Sequence, residues 1–357
     1  MPGDLIPTSS EAEWLAARRK GITASEIAAL MGISPWSSPY KLYHQKLGLL
    51  PADEVTPAME RGNVLEPYVV EKFAAAHPEF AVLGTGRELY AHPSRPWQMA
   101  TPDRMVHDVV EVDRCTCGAG PGGYYGMHER GCGWELDRPV AVLETKTTTD
   151  MSEWGEPGTD EIPVHYRSQV LWQMDVMGVS RAYVAVLDIR QWEVSEYLVG
   201  HIDGCGPGRY LLAYPSLACP ACDDVVLMRE KAQEFIKQME SGDAPDPDWS
   251  AATAYTLKQL HPSLEDRDAH IGRRLEISYR AAIRHYKDAE QRKDEMTNRL
   301  REAMGSASRA VAAGMVGSDG KRVVIATRQV YDQAAKTIER KASTVDKLVP
   351  AKPKKES

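Results

Sequence analysis

Residues 141–148 read AVLETKTT, an apolar run that carries a glutamate and a lysine two positions apart. In a β-strand successive side chains face opposite ways, so Glu144 and Lys146 share one face while Leu143 and Thr145 take the other. The pair therefore lines one surface of the strand. At this level two readings stay open. One is a solvated ion pair at a strand end, which contributes little stability; the other is a site that uses both charges.

The flanking segments place this strand in an α/β layout. SEAEWLAARRKG has helical spacing, with Ser10 and Glu13 in the positions of a capping box, and KGITAS turns into a second helix beginning near Ser25. MERGNVLEPYVVEKFAAAH is an amphipathic helix with Leu65, Val69 and Phe73 on one stripe and Glu66 beside it. EFAVLGTGRELYAH, MATPDRMVHDVVEV and VAVLETKTT alternate as strands, HYRSQVLWQMDVMG is helical, and RAYVAVLDI is a further strand. The expected organisation is a core over 1–250, a linker at 251–263, and 264–357 as a long helix, a short hairpin and a basic tail. The linker rests on the Pro, Asp and Gly of ESGDAPDPDWSAAT, and the helix on the charged stretch from Arg273 to Met304, which contains neither Gly nor Pro.

Charge is uneven. The first 264 residues hold 22 Lys and Arg against 37 Asp and Glu, and the remainder holds 21 against 14. An acidic body disfavours nonspecific coating of phosphate but suits carboxylates gathered around divalent cations. There is no apolar run of membrane-spanning length, and the opening MPGDLIPTSSEAEW lacks the features of a secretion signal, so the expected location is the cytoplasm. In that reducing setting six cysteines point to metal rather than disulfides.

Upstream of Glu144, ATPDRM places Asp103 after a proline near a strand start, and Gln169 follows on the next helix. Hydrolysis of a phosphodiester needs divalent ions to neutralise the phosphate and activate water, and Mg²⁺ takes hard oxygen ligands such as Asp103 and Glu144 supply. A lysine two residues from such a ligand can position the water and stabilise developing charge.

Four motifs in order, RRKGITASE, GNVLEP, TPD followed by LETK, and YRSQVLWQ, cover roughly residues 14–187. Together they resemble the phage-lambda-type, or YqaJ-like, alkaline exonucleases of the PD-(D/E)XK nuclease superfamily. The resemblance implies a restriction-endonuclease-like core, a central mixed sheet flanked by helices. It implies Mg²⁺ or Mn²⁺ held by Asp103, Glu144, the backbone carbonyl of Thr145 and Glu66, with Lys146 as the catalytic lysine and Gln169 contacting phosphate and water. It also implies a 5′-phosphate pocket of Arg18, Ser25 and Thr101, with Arg19 replacing Arg18 if the turn shifts. From residues alone, Ser25 can be read as an N-cap, and Glu66 and Gln169 as helix-surface groups. The family carries a further acid in the strand before P-D, and YAHPSRPWQM offers none.

The implied activity is 5′ to 3′ digestion of double-stranded DNA ends, leaving 3′ single strands for phage-type recombination. The implied company is a homo-oligomeric ring and a single-strand annealing protein. Alternatives on the same residues are an endonuclease or single-strand-specific nuclease, or a non-catalytic, zinc-stabilised DNA-binding protein.

Two cysteine-rich insertions are expected, at 113–135 and 200–223. The first offers Cys115, Cys117, His128 and Cys132 in a glycine-rich loop with little apolar content, which a structural Zn²⁺ would fold. The second offers His201, Cys205, Cys219 and Cys222, read as a second zinc site, a share in the first, or reduced buried thiols. An iron–sulfur cluster fits less well, because no cysteine precedes Cys115.

Overall fold

The computed structural model describes residues 3–51, 53–108, 139–200, 219–263, 265–316 and 320–330. Cys115, Cys117, His128, Cys132, His201, Cys205 and the basic tail lie outside them. Two compact units divide between Pro262 and Ser263.

The first unit begins with β1 (Asp4–Ile6), α1 (Glu11–Arg18), β2 (Ile22–Thr23), α2 (Ala24–Leu30), α3 (Pro39–Lys46) and α4 (Pro57–Ala76). Then come β3 (Phe80–Leu83), β4 (Leu89–His92), β5 (Arg95–Ala100), β6 (Arg104–Asp108) and β7 (Ala141–Thr148). It ends with α5 (Val164–Met177), β8 (Arg181–Asp188), β9 (Glu193–Gly200), α6 (Pro220–Ser241) and α7 (Ala251–Leu260). The result is a mixed α/β architecture.

The five-stranded sheet runs β3-β6-β7-β8-β9 and is antiparallel except for the parallel β7–β8 pair. Its central strands are covered on both faces. Leu143, Ala185 and Leu187 pack with Val69 and Phe73 of α4, whereas Val142, Val184 and Val186 join a cluster with Val170, Leu171 and Met174 of α5 and residues of α2 and α6. The alternation expected for β7 follows from this sandwich. Val69 and Phe73 are fully buried, each contributing about 1.5–3 kcal/mol on an area basis. A four-stranded sheet, β1-β4-β5-β2, carries the amino-terminal segment.

Three expectations are corrected. Residues 251–263 are not a bare linker. Ser250 caps α7, Thr253 and Thr256 are buried, and the Thr253 hydroxyl bonds the buried Ser38 hydroxyl at 2.8 Å, so this helix belongs to the first unit. The segment 200–223 is not wholly an insertion, since β9 runs to Gly200 and α6 starts at Pro220; Cys219 and Cys222 open that helix, buried in the main apolar core. Ser25 is not an N-cap. Thr23 holds that position, and its amide donates to the Glu26 carboxylate at 2.8 Å.

The second unit holds α8 (Arg273–Met304) and a hairpin of β10 (Arg309–Val316) with β11 (Arg322–Thr327). No residue of α8 is buried. Ion pairs such as Arg280–Glu276 and Arg299–Glu295 run along its surface at helical spacing. Among the described residues no helix is long and apolar enough to cross a membrane.

Candidate active site

Antiparallel pairing of β6 with β7 sets Arg104 opposite Leu143. Asp103 immediately precedes β6 and so comes beside the middle of β7, although the two strands are far apart in the sequence. The Thr145 amide and hydroxyl both donate to Asp103 Oδ2, each at 2.7 Å.

Glu144 is 3% exposed. Lys146 Nζ and Gln169 Nε2, the latter at 2.6 Å, donate to its Oε1, and Gln173 Nε2 donates to its Oε2 at 2.7 Å. Gln169 and Gln173 stand one turn apart on α5, so both reach the Glu144 face of the sheet. Lys146 lies on that same face, as strand alternation requires.

Glu66 comes from α4. Arg104 Nη1 donates to its Oε1 at 2.8 Å and also to the carbonyl of Asp103. Gly86, at φ +73°, lies against this pair: a Cβ there would stand 3.2 Å from both Glu66 Oε1 and Arg104 Nη1, in a backbone region that suits glycine.

The three carboxylates act on one another. Burial, then the charge of Asp103, raises the Glu144 pKa, with Lys146 and Gln173 pulling it back. Burial and Asp103 likewise raise that of Glu66, against Arg104. For Lys146, burial opposes the charged form, but Glu144 and Asp103 outweigh it and the pKa is raised, so the ammonium persists at neutral pH. Three acids thus face two cations, Lys146 and Arg104. Oxygen donors that repel each other in a half-buried place suit a hard divalent cation such as Mg²⁺ or Mn²⁺. Among the described residues, no three His, Cys, Asp or Glu side chains already converge into a ligand group.

Arg18 and Ser25 also meet. Arg18 Nη2 donates to Ser25 Oγ at 3.1 Å and to Thr23 Oγ1 at 3.3 Å, and the guanidinium lies 4.3 Å from the Trp14 ring centroid. Burial lowers the Arg18 pKa, with Glu26 opposing, yet a guanidinium remains charged. Arg19 is exposed. Parallel pairing of Thr23 with Met99 brings the start of α2 alongside the end of β5, which leads into Thr101. The Thr101 hydroxyl is buried and makes no hydrogen bond among the described residues. Lys46 braces this corner from α3, its ammonium bonding the carbonyls of Arg18 and Gly21 and the Glu26 carboxylate, each at 2.7 Å.

Sequence reasoning passed over Gln173, Arg104, Thr23 and Tyr166. Tyr166 has its ring centroid 5.0 Å from Lys146 Nζ. Gln173 could have been found as the residue one helical turn after Gln169; the others carry no comparable signal.

The model of the YqaJ-like viral recombinase domain matches residues 13–180. A protein described as YqaJ, from Bacillus subtilis (strain 168), is 28% identical over 183 residues, which are 50% of this chain and 46% of that protein. The match thus spans about half the length of that curated relative. Among solved structures, an alkaline exonuclease (LHK-Exo) from Laribacter hongkongensis is 17% identical with a TM-score of 0.41, covering 70% of this chain and 98% of its own. The same exonuclease in complex with dAMP gives 18% and 0.43 over the same shares. Both likenesses are loose.

Proposed function

Residues 13–180 match the model of the YqaJ-like viral recombinase domain, and from that premise we propose that the chain is a divalent-metal-dependent deoxyribonuclease with a PD-(D/E)XK core. Its substrate on this reading is the end of double-stranded DNA, digested 5′ to 3′ to leave 3′ single strands for recombination. The observation that carries the reading is the buried Glu144 held among Lys146, Gln169 and Gln173, with the Asp103 carboxylate bonded by the adjoining Thr145.

Asp103, Glu144, the Thr145 carbonyl and Glu66 would hold Mg²⁺ or Mn²⁺. A divalent ion bound there supplies neutralisation of the scissile phosphate and a more acidic water. Thr145 fixes the Asp103 carboxylate through two hydrogen bonds, and Gln173 fixes Glu144 through its Oε2. Lys146, held protonated by its acidic neighbours, stabilises negative charge that develops on the phosphate. Gln169 orients the attacking water or a phosphate oxygen. Arg18, Ser25 and Thr101 receive the terminal 5′-phosphate, the charged guanidinium providing most of the attraction.

The company implied by the family, a homo-oligomeric ring and a single-strand annealing protein, belongs to this proposal, as does structural Zn²⁺ at the cysteine-rich segments. Freshly purified protein should contain zinc, and elemental analysis finding neither zinc nor iron removes that part. The nuclease reading is tested with linear duplexes labelled at the 5′ or the 3′ end and incubated with Mg²⁺. Early release of 5′-labelled mononucleotides, with circular duplex untouched, is the expected pattern. Internal cuts in circles, or no cleavage with Mg²⁺ or Mn²⁺, would overturn it.

A further inference from the structure

Trp36 is a large apolar side chain that the core does not use: it is 62% exposed. It lies between α2 and α3, in a loop whose backbone is held by Ser34, the hydroxyl of which accepts from the Trp36 and Ser37 amides at 3.2 Å each. The indole is therefore presented from a fixed base. Its ring meets His165 edge to face, at 5.0 Å between centroids and 90° between planes, and lies 6.2 Å from Tyr166 at 37°.

These two rings belong to the first turn of α5, whose later residues Gln169 and Gln173 hold Glu144. Tyr166 is supported from another side by Trp154, at 5.8 Å, which in turn packs on Tyr197 at 5.2 Å. Lys146 Nζ stands 5.0 Å from the Tyr166 ring. A continuous row of rings thus leads from the candidate catalytic lysine to an exposed indole in two steps.

A second observation concerns the His165 ring itself. Its Nε2 is buried and has no hydrogen-bond partner among the described residues. Native proteins rarely leave such an atom unsatisfied without a use for it. Burial lowers the His165 pKa, and Lys146 adds to that shift against Glu153, so the ring is neutral at physiological pH and offers no charge to attract phosphate. The rings themselves are flat and uncharged, with the Lys146 ammonium 5.0 Å behind Tyr166.

We propose that Trp36, backed by His165 and Tyr166, is a stacking platform for a nucleobase of the DNA strand entering the Glu144 site. The inference deepens the nuclease reading and rests on it. The steps from Lys146 Nζ to the Tyr166 ring and from that ring to Trp36 are 5.0 and 6.2 Å, so the stacked base lies within a few nucleotides of the bond cut. Stacking on an indole favours no particular base, because every base has a π-face, which suits an enzyme that must digest any sequence. It also stabilises the end of a strand that has left its duplex.

The experiment uses full-length Glu144→Gln protein, which should hold DNA uncut, and duplexes carrying the fluorescent base 2-aminopurine at each of the first four positions from the 5′ end. Binding should quench emission at one of these positions. Adding Trp36→Ala should restore that emission and weaken binding roughly five- to hundredfold, whereas Trp36→Phe should keep most of both. In the otherwise wild-type enzyme, Trp36→Ala should raise KM more than it lowers kcat. DNA bound with quenching that does not depend on Trp36, together with normal cleavage by Trp36→Ala, overturns the platform and leaves the nuclease. Trp36-dependent quenching in the Glu144→Gln protein, when protein with Glu144 intact never cleaves either, supports the platform and overturns the nuclease. Failure to bind DNA at all overturns both.

Discussion

Glu144 and Asp175 are both almost fully buried, at 3% and 1% exposure, and both are bonded across or from α5, yet their surroundings are opposite. Asp175 is closed. Arg229 Nε donates to its Oδ2 at 2.8 Å and Arg229 Nη2 to its Oδ1, Arg95 Nη2 reaches Oδ2 at 3.3 Å, and Gln98 Nε2 donates at 2.6 Å. Two cations serve one acid, and the cluster ties β5, α5 and α6 together. Glu144 has one directly bonded cation, Lys146, and stands in a group where three acids face two cations. Burial alone thus fails to separate a structural carboxylate from a functional one; the local balance of charge does. A saturated carboxylate braces the fold, whereas an unsaturated group is suited to a further cation.

The largest effect should come from the unsaturated cluster. Glu144→Gln and Asp103→Asn should each lower nuclease turnover by about a thousandfold or more, while the thermal midpoint stays level or rises because carboxylate repulsion is relieved. Steady-state rates and melting curves on the same preparations check this, and loss of activity accompanied by a large fall in stability would erase the distinction. Asp175→Asn should do the reverse. Removing the acid between Arg95 and Arg229 should cost roughly 3–5 kcal/mol, read from urea unfolding, with turnover per folded molecule nearly unchanged.

A smaller effect belongs to the charge at Arg18. If it meets the 5′-phosphate, duplexes with that phosphate should be digested faster than 5′-hydroxyl ends, and Arg18→Ala should shrink the preference about tenfold. Equal rates on the two ends in the wild type would remove the pocket.

The smallest concerns an acid–base contact at the end of α4, where His77 bonds Glu196 at 2.7 Å and Glu79 at 2.9 Å. Burial opposes its charge, but the two glutamates prevail and its pKa is raised. A raised folded-state pKa contributes stability that is complete below the unfolded value of about 6.5 and is lost as pH rises through the folded value. His77→Gln should therefore cost under about 1 kcal/mol at pH 5.5 and nearly nothing at pH 9, measured by denaturant unfolding.

What could be read from the sequence follows the same division. AVLETKTT disclosed its charges because strand alternation makes two polar residues in an apolar run conspicuous, and the P-D turn and Gln169 lie within short motifs of fixed spacing. Asp175, Arg95 and Arg229 were invisible: their contacts join residues 54 and 80 positions apart, and no local pattern marks which arginine meets which acid. Helix α7 was hidden for another reason. The Pro- and Asp-rich run before it reads as a linker, and its burial depends on two threonines that a hydrophobic pattern does not count. Helix α8 was legible from end to end, because an exposed helix is specified by its own propensities and ion pairs rather than by distant partners.

Counting bound Mn²⁺ by electron paramagnetic resonance, in wild type, Glu144→Gln, Asp103→Asn and Asp175→Asn, tests the contrast between the clusters without relying on turnover. The wild type and Asp175→Asn should bind at least one Mn²⁺ per chain that Glu144→Gln and Asp103→Asn bind far more weakly. Equal binding by the wild type and by both Glu144→Gln and Asp103→Asn would contradict the assignment of the Glu144 cluster as a cation site.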